Sequence, residues 1–356
     1  MSFFLSEEKN ENTEKLLSNE SIRISIVGVG GGGCNTINRL EHLGLKHVKR
    51  IAINTDNLHL LSIKAQNKIL IGKSITKGLG AGGFPEVAEK CAEVSKEEIR
   101  TAIGENELVF LVSGLGGGTG TGASPLVAKL AKEQGAVVVS IVTLPFSLER
   151  SRLKKAEWGL ERLVKESDSV VVISNDRLVG YAQNMPINEA FNLADLITAK
   201  ALQGITETIV EPSLLNIDFA DVKSIMENGG VSLIALGEGS GPDRVEMAAR
   251  KALEHPLLDV SFEGAKAALI HIEGNAGLTL GETIELGEKI TQSFDPGANV
   301  KLGARLVPKE SDSILTTTII TGLKSEAVAK VMNSQIAQQQ KLKELAALET
   351  IKRVDF

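Results

Sequence analysis

Gly116-Gly117-Gly118-Thr119-Gly120-Thr121-Gly122 follows the apolar run Leu108-Val109-Phe110-Leu111-Val112 and leads into Ala123-Ser124-Pro125-Leu126-Val127-Ala128, which has helical spacing. Strand, glycine-rich turn and helix in that order aim several backbone N–H groups, and the positive end of a helix dipole, at one small volume. Glycine suits such a turn because a side chain would keep a phosphate off the backbone, and because such turns often need φ > 0. The threonines add hydroxyl donors with little bulk. A flexible linker would not be wedged between a buried strand and a helix, so the stretch reads as a phosphate-binding loop.

Outward from this loop, strand and helix signals alternate as far as about Asp176. Strands are expected at Ile22–Val27, Arg50–Asn54, Lys68–Ile71, Leu108–Val112, Ala136–Val142 and Ser169–Ile173, and helices at Pro85–Ile103 and Arg152–Lys165. Strands separated by helices imply right-handed crossovers and a parallel sheet covered on both faces. A long helix is expected from Asn188, as its N-cap, to Val210, with Pro212 stopping it. Phe191, Ala194, Ile197, Ala201, Leu202, Ile205 and Ile209 keep helical spacing along it. Beyond it, a helix ending at Gly229-Gly230, the strand Ser232–Leu236, the helix Asp243–Leu253 and the strands Ala267–Glu273 and Ile314–Thr321 mark a second domain. The first 20 or so residues are polar and expected to be mobile, and a glutamine-rich helical tail is expected from Lys324.

At 356 residues the chain can build two cores, and with one Trp and one Tyr those cores must rest on Ile, Leu, Val and Ala. A net charge of −6 argues against a nucleic-acid partner, which would ask for a basic patch. A bound anion must therefore be held by amides and a metal more than by a lysine cluster. Cys34 and Cys91 make neither a disulfide framework nor a CxxC metal pattern. The N-terminus turns acidic before a signal-length apolar core develops. No apolar stretch reaches the roughly 20 residues that span a bilayer. The expectation is a cytoplasmic, soluble protein with no direct membrane insertion.

Three more glycine signals need sorting. Gly28-Val29-Gly30-Gly31-Gly32-Gly33-Cys34-Asn35 follows the first strand and satisfies G-x-G-x-x-G, with Asp56 placed roughly where a ribose-binding acid would sit. Alone, that pattern also suits an NAD-dependent oxidoreductase, but such an enzyme leaves Gly116–Gly122 without a role. Two loops, each after its own strand, suit a chain of phosphates gripped from two sides. Gly80-Ala81-Gly82-Gly83 precedes Pro85, a residue suited to a helix's first turn, and reads either as a plain helix start or as a cap over a terminal phosphate. Gly72-Lys73-Ser74 imitates the end of a Walker motif, yet Asn67 stands where the first glycine belongs, so Lys73 is taken as a surface residue.

Together these loops, with Asn54-Thr55-Asp56, Val142-Thr143-Leu144-Pro145-Phe146, Ser174-Asn175-Asp176-Arg177 and Asn216-Ile217-Asp218-Phe219-Ala220-Asp221, resemble the tubulin/FtsZ family of polymerising GTPases in its prokaryotic branch. The resemblance covers about Ile22 to Leu323. It implies an α/β fold: a Rossmann-like parallel-sheet GTP-binding domain over 21–187, a central helix over 188–211 and a smaller α+β GTPase-activating domain over 212–323. The segments 1–20 and 324–356 flank them. Gly31, Gly32, Gly33, Cys34 and Asn35 would cradle the nucleotide, with Asp56 beside them. Gly82 and Gly83 would meet the γ-phosphate, and Gly117, Gly118, Thr119, Gly120, Thr121 and Gly122 the phosphate chain. Glu149 and Arg152 would contact ribose and phosphate. Phe191 would stack on guanine, and Asp195 would accept its N1–H and exocyclic amine, with Asn175 nearby. Phe191 and Asp195 are i and i+4 and share a helix face, a π-face beside an acceptor, which suits guanine and rejects adenine.

The departures from the family are local. Its usual Glu-Gly, with an arginine four residues beyond the glutamate, is here Glu149-Arg150-Ser151-Arg152, one residue shorter; Arg152 keeps phase with the following helix, and Arg150 is the alternative. Cys34 stands where small polar residues are common and reads as a structural fit, not a nucleophile. The short loop and helical tail point to an archaeal type. The tail end, Ile351–Phe356, is either a site for division proteins or a membrane adaptor, or a frayed terminus.

Asp218 and Asp221 read locally as an N-cap and a first-turn acid. About 22 helical residues, at about 1.5 Å each, put roughly 33 Å between them and Phe191. Acids that far away can serve only another subunit's nucleotide. The resemblance thus implies a head-to-tail homopolymer, with GTP or GDP and Mg²⁺ in each junction and Asn216, Asp218 and Asp221 completing hydrolysis in trans. It also implies a division ring at midcell. A non-division cytoskeletal member of the family is the competing reading.

Overall fold

The computed structural model describes residues 22–45, 47–211, 213–227, 229–254, 260–308, 311–325 and 328–329. Pro212, the N-terminal segment and nearly all of the expected helical tail lie outside the described residues.

In chain order the elements are β1 (Ile24–Val29), α1 (Gly30–Leu43), β2 (Lys49–Asn54), α2 (Asn57–Ser62), β3 (Asn67–Leu70), α3 (Lys73–Thr76), α4 (Pro85–Val94), α5 (Lys96–Ile103), β4 (Leu108–Gly114), α6 (Thr119–Glu133), β5 (Val137–Leu144), α7 (Arg150–Glu166), β6 (Ser169–Ser174), α8 (Asn175–Ala182) and the long α9 (Ile187–Val210). There follow α10 (Phe219–Met226), β7 (Gly230–Ser240), α11 (Arg244–Leu253), β8 (Val260–Ser261), β9 (Ala267–Gly274), α12 (Leu280–Thr291), β10 (Asn299–Leu306), β11 (Ser313–Thr321) and β12 (Lys324–Ser325).

One sheet runs through both halves, in the order β10-β9-β11-β7-β6-β5-β4-β1-β2-β3. From β3 to β6 every pairing is parallel, and β6 joins β7 in parallel at Ser169–Val171. Beyond that seam β7, β11 and β9 are antiparallel, with β10 parallel to β9. Alternation decides which side each apolar residue serves. Ile24, Ile26, Phe110 and Val139 face a layer holding Ile37 and Leu40 of α1 and Leu202 and Ile205 of α9. Val27, Ile51, Leu111 and Val138 face the opposite layer, against α4 to α7. The first layer continues to Ile234, Leu269 and Ile319, so α9 lies along both halves.

Three expectations change in detail. The expected helix Pro85–Ile103 is two helices meeting at Ser95, whose hydroxyl accepts the amide of Gly72 at 3.0 Å and so leaves the helical path. The N-cap of α9 is Pro186, not Asn188, with no side-chain cap; proline's fixed φ, here −53°, starts the helix one residue before Asn188. The expected tail begins as a strand, since Lys324–Ser325 pairs with β8.

The second half is pinned by a buried guanidinium. Arg244 donates to both carboxylate oxygens of Glu282, at 2.6 and 2.8 Å, to Gly277 O at 3.2 Å and to Asp312. Glu282 also closes a capping box with Thr279 at the start of α12. Hydrogen bonding to Arg244, with help from Thr279 and against burial, pulls the Glu282 carboxyl down to about 2. That lies below its value in an unfolded chain, about 4.3. The stabilisation is therefore present above pH 4.3 and is lost as pH falls towards 2. Glu282→Gln should melt earlier than the parent at pH 7, with the difference in midpoint vanishing by about pH 2, as followed by circular dichroism.

Candidate functional site

The strand order β3-β2-β1-β4-β5-β6 reverses direction between β1 and β4, where the connections leave to opposite sides and open a crevice at the strands' carboxyl ends. A cleft of about 530 Å³ lies there. Among the sequence-predicted residues it brings together Gly31, Gly32, Asn35, Asp56, Gly82, Gly117, Gly118, Thr119, Gly120, Arg152, Asn175, Phe191 and Asp195.

Two helix N-termini converge on it. Neither α1 nor α6 has a side-chain cap or an acidic residue in its first turn, so their first amides and dipole ends remain available to an anion. Arg152 is the one lysine or arginine in the lining. The anion-binding capacity is thus mostly backbone.

Close approach explains some of the glycines. A Cβ on Gly30, which has φ +73°, would sit 2.6 Å from Gly120 N, and one on Gly120 would sit 2.4 Å from Gly114 O. Packing the two loops together requires bare backbone there. Gly31 and Gly117 differ: neither has a positive φ, and a Cβ on either would meet nothing within 4 Å. Both line the cleft. Protein packing does not demand glycine at these two positions, and their bare backbone leaves open space facing the cleft.

Other predicted residues stand behind the lining. Cys34 is fully buried, its thiol directed at Gly28 O and Ile53 O, and burial pushes it up to about 12. It fills space. Gly33 lies against the sheet, where a Cβ would sit 2.1 Å from Val112 O, and Gly122 lies against α4, 2.0 Å from Pro85 O. Thr121 Oγ1 accepts the amide of Gly116 at 2.9 Å and closes the turn. Gly83 O accepts from Lys155 Nζ at 2.7 Å, which holds the Gly80–Gly83 loop to α7. Glu149 pairs with Arg152 and accepts from Phe146 N at 3.2 Å, so it braces the arginine. Arg150 does not line the cleft, and Lys73 is exposed, as its isolated motif implied.

At the α9 end, Phe191 is 41% exposed and meets Phe146 edge-on, with centroids 6.0 Å apart. Its face is free for a planar ligand. Asp195 is half-buried beside it, and burial pushes its carboxyl up to about 6 against the pull of Arg39. Asn175 completes this side; its turn is tied to the neighbouring loop by Ser147 N, which donates to Asp176 Oδ1 at 2.9 Å.

His59 escaped the sequence reading. Its Nδ1 sits 3.2 Å from Asn54 Nδ2 and its Nε2 3.0 Å from Asn35 Oδ1, so Nε2–H donates to the Asn35 carbonyl. The contact occupies the Asn35 carbonyl and turns its amide hydrogens toward other acceptors. The available signal was spacing: Asp56 caps α2 by accepting His59 N at 3.1 Å, which places that histidine over the first loop. Likewise Thr55 Oγ1 and Thr119 Oγ1, 2.7 Å apart, lock the end of β2 to the signature loop.

Asn216, Asp218 and Asp221 are absent from the cleft lining. They lie past the carboxyl end of α9, whose 24 residues span about 36 Å at about 1.5 Å per residue. Asp218 Oδ1 caps α10, accepting Asp221 N at 2.7 Å, and Asp221 pairs with Lys301 at 2.8 Å.

Residues 23–183 match the Tubulin/FtsZ family, GTPase domain, and residues 230–324 match the FtsZ family, C-terminal domain. Over 319 residues the chain is 50% identical to cell division protein FtsZ 2 of Methanocaldococcus jannaschii, covering 88% of this chain and 84% of that one. It is 48% identical over 320 residues to cell division protein FtsZ 1 of Pyrococcus horikoshii, covering 90% and 86%. An empty FtsZ dimer of M. jannaschii superposes with a TM-score of 0.82 at 43% identity, over 90% of this chain and 97% of that one.

Because a Cβ on Gly31 would meet nothing within 4 Å, Gly31→Val should fold and melt like the parent yet lose most binding of a fluorescent guanine nucleotide. Gly120→Val should lower the melting midpoint as well, since its Cβ would collide with Gly114 O. Equal melting losses in both variants would contradict this division.

Proposed function

The chain belongs to the tubulin/FtsZ family, and on that premise we propose that it is an assembly-dependent GTPase of the cell-division type, forming head-to-tail filaments at a midcell ring. The separation of the two functional surfaces carries this reading. One end of α9 supplies Phe191 and Asp195 to the cleft, and the acids lie beyond the other end. A carboxylate cannot orient a water across such a length, so each subunit's acids serve the nucleotide of the next. A contact between unlike faces is heterologous and, unless it closes a ring, extends into a filament.

Exposed apolar side chains support the same surfaces as contacts. Leu79 (84% exposed), which lines the cleft, and Phe84 (54%) flank the Gly80–Gly83 loop, while Leu214 (74%) and Leu215 (41%) precede Asn216. Large apolar groups left in water on opposite faces mark interaction sites. The FtsZ dimer among the solved structures is in keeping with self-association.

Within the cleft, the open backbone at Gly31, Gly32, Gly117, Gly118 and Gly120 and the uncapped amides of α1 and α6 receive the phosphates. The amide hydrogens of Asn35 and the Glu149-braced Arg152 hold the sugar–phosphate side, and the Gly82-Gly83 loop closes over the terminal phosphate. Phe191 stacks on the base. Asp195, with Asn175, reads its donor edge. Among the described residues no group of three or more His, Cys, Asp or Glu is placed to hold a metal. Mg²⁺ therefore fits as a cation carried by phosphate oxygens and water, where it neutralises charge on the phosphates. In the junction Asp218 and Asp221 orient and polarise the attacking water, and Asn216 shapes their loop. Loss of the γ-phosphate removes the Gly82-Gly83 loop's partner and loosens the contact. No helix among the described residues is long and apolar enough to cross a membrane. An adaptor would place the filament at the division site; the tail end expected to bind one lies outside the described residues.

Turnover per molecule should rise with protein concentration. Asp218→Asn, which keeps a capping oxygen, should bind GTP like the parent and hydrolyse almost none. A mutant that hydrolyses normally would remove the acids from the mechanism.

The raised Asp195 carboxyl gives a second test. It is ionised at pH 7 and takes up a proton as pH falls through about 6, losing its capacity to accept from guanine. GTP affinity should weaken from pH 7.5 to pH 5, and Asp195→Asn should bind weakly with little of that dependence, as measured by equilibrium binding.

A further inference from the structure

We propose that Lys301 is a positioning residue for hydrolysis: it fixes Asp221 and offsets the charge of the acid pair where that pair meets the phosphates of the next subunit. This inference rests on the reading of Asp218 and Asp221 as the hydrolytic acids. It concerns what holds them.

Lys301 lies on β10, whose one face presents Lys301, Gly303 and Arg305 in alternation. Each of the three meets α9, α10 or the segment that joins them. Arg305 pairs with Glu273 and reaches Glu207, in the last turns of α9, at 3.5 Å. At Gly303 a Cβ would sit 2.6 Å from Ile217 Cδ1, so the acid loop lies directly on the strand. Lys301 Nζ sits 2.8 Å from Asp221 Oδ1. Between these points Leu214 N and Leu215 N both donate to Ala304 O, at 2.8 and 3.1 Å. The region is thus fastened to one strand along its length, and Lys301 is the fastening that acts on one of the two acids, Asp221.

The pair is half-exposed, 38% for Lys301 and 28% for Asp221, and a pair in such a setting adds little to folding stability. Its effect falls on orientation and charge. Asp218 is already oriented by capping Asp221 N; Lys301 does the same for Asp221. Two carboxylates brought to a triphosphate would repel it, and one ammonium halves their charge. The hydrogen bond to Asp221, with the charges of both acids, raises the Lys301 ammonium above its ordinary value, so it stays charged.

The test compares Lys301→Met, Lys301→Arg and Asp221→Asn in the full chain, reading GTP affinity, critical concentration, and turnover per assembled subunit. Lys301→Met should bind GTP like the parent and still assemble, with turnover per assembled subunit down by roughly tenfold or more, the scale on which misplaced groups act. Lys301→Arg should restore most of it. If Lys301→Met does not fold, Lys301→Gln is read in its place. Parental turnover per assembled subunit in Lys301→Met, or an arginine variant as slow as the methionine one, overturns the proposal while leaving the acids in place if Asp221→Asn is inactive. Parental turnover in Asp221→Asn overturns the acids themselves.

Discussion

A single apolar layer sets the distances on which everything else depends. It runs from Ile24 and Ile26 on the first strand, along Leu202 and Ile205 of the long helix, to Leu269 and Ile319 in the second half. Burial of such side chains is the main favourable contribution to folding, and close packing leaves the helix little room to slide or bend. The helix therefore serves as a spacer of fixed length. With a continuous sheet beside it, Phe191 and Asp195 at one end and Asp218 and Asp221 at the other are parts of one body, and their separation is a property of the fold.

The cleft solves a problem that composition poses. A chain of net charge −6 must hold a polyanion. What the cleft offers is the bare backbone of two helix starts, Arg152 being the only lysine or arginine in the lining. Amides and helix ends lose little by staying fixed, whereas a cluster of lysines would repel itself whenever the nucleotide left. The side chains behind the lining serve the same end: Thr121 closes the turn, Thr55 and Thr119 tie two loops together, and His59 turns Asn35.

What could be read from the sequence was what has a short-range signature. Gly116–Gly122 and the first glycine loop each advertise themselves within a few residues, and the long helix shows in its periodicity, whereas Phe191 and Asp195 stand out only through the family resemblance. Ser95 breaks a helix because Gly72, distant in sequence, donates to it, and no local pattern reveals that. Lys301 meets Asp221 only because β10 returns beside the acid loop. The same return brings Arg305 to Glu207. The start of α12 is a different matter. Thr279-Leu280-Gly281-Glu282 is a capping-box pattern, a signature as short-ranged as the glycine loops.

The acid loop also closes an otherwise open boundary. β10 is the outermost strand of ten, and Leu214 and Leu215 bond to its free side at Ala304. An unpaired strand margin is a template on which foreign chains can add. A molecule whose loop came loose would forfeit more than reactivity: it would bare a sticky rim. On the proposed reading of the acids, fidelity of assembly and competence for hydrolysis are guarded by the same few bonds, so damage to one would be felt as disorderly growth in the other.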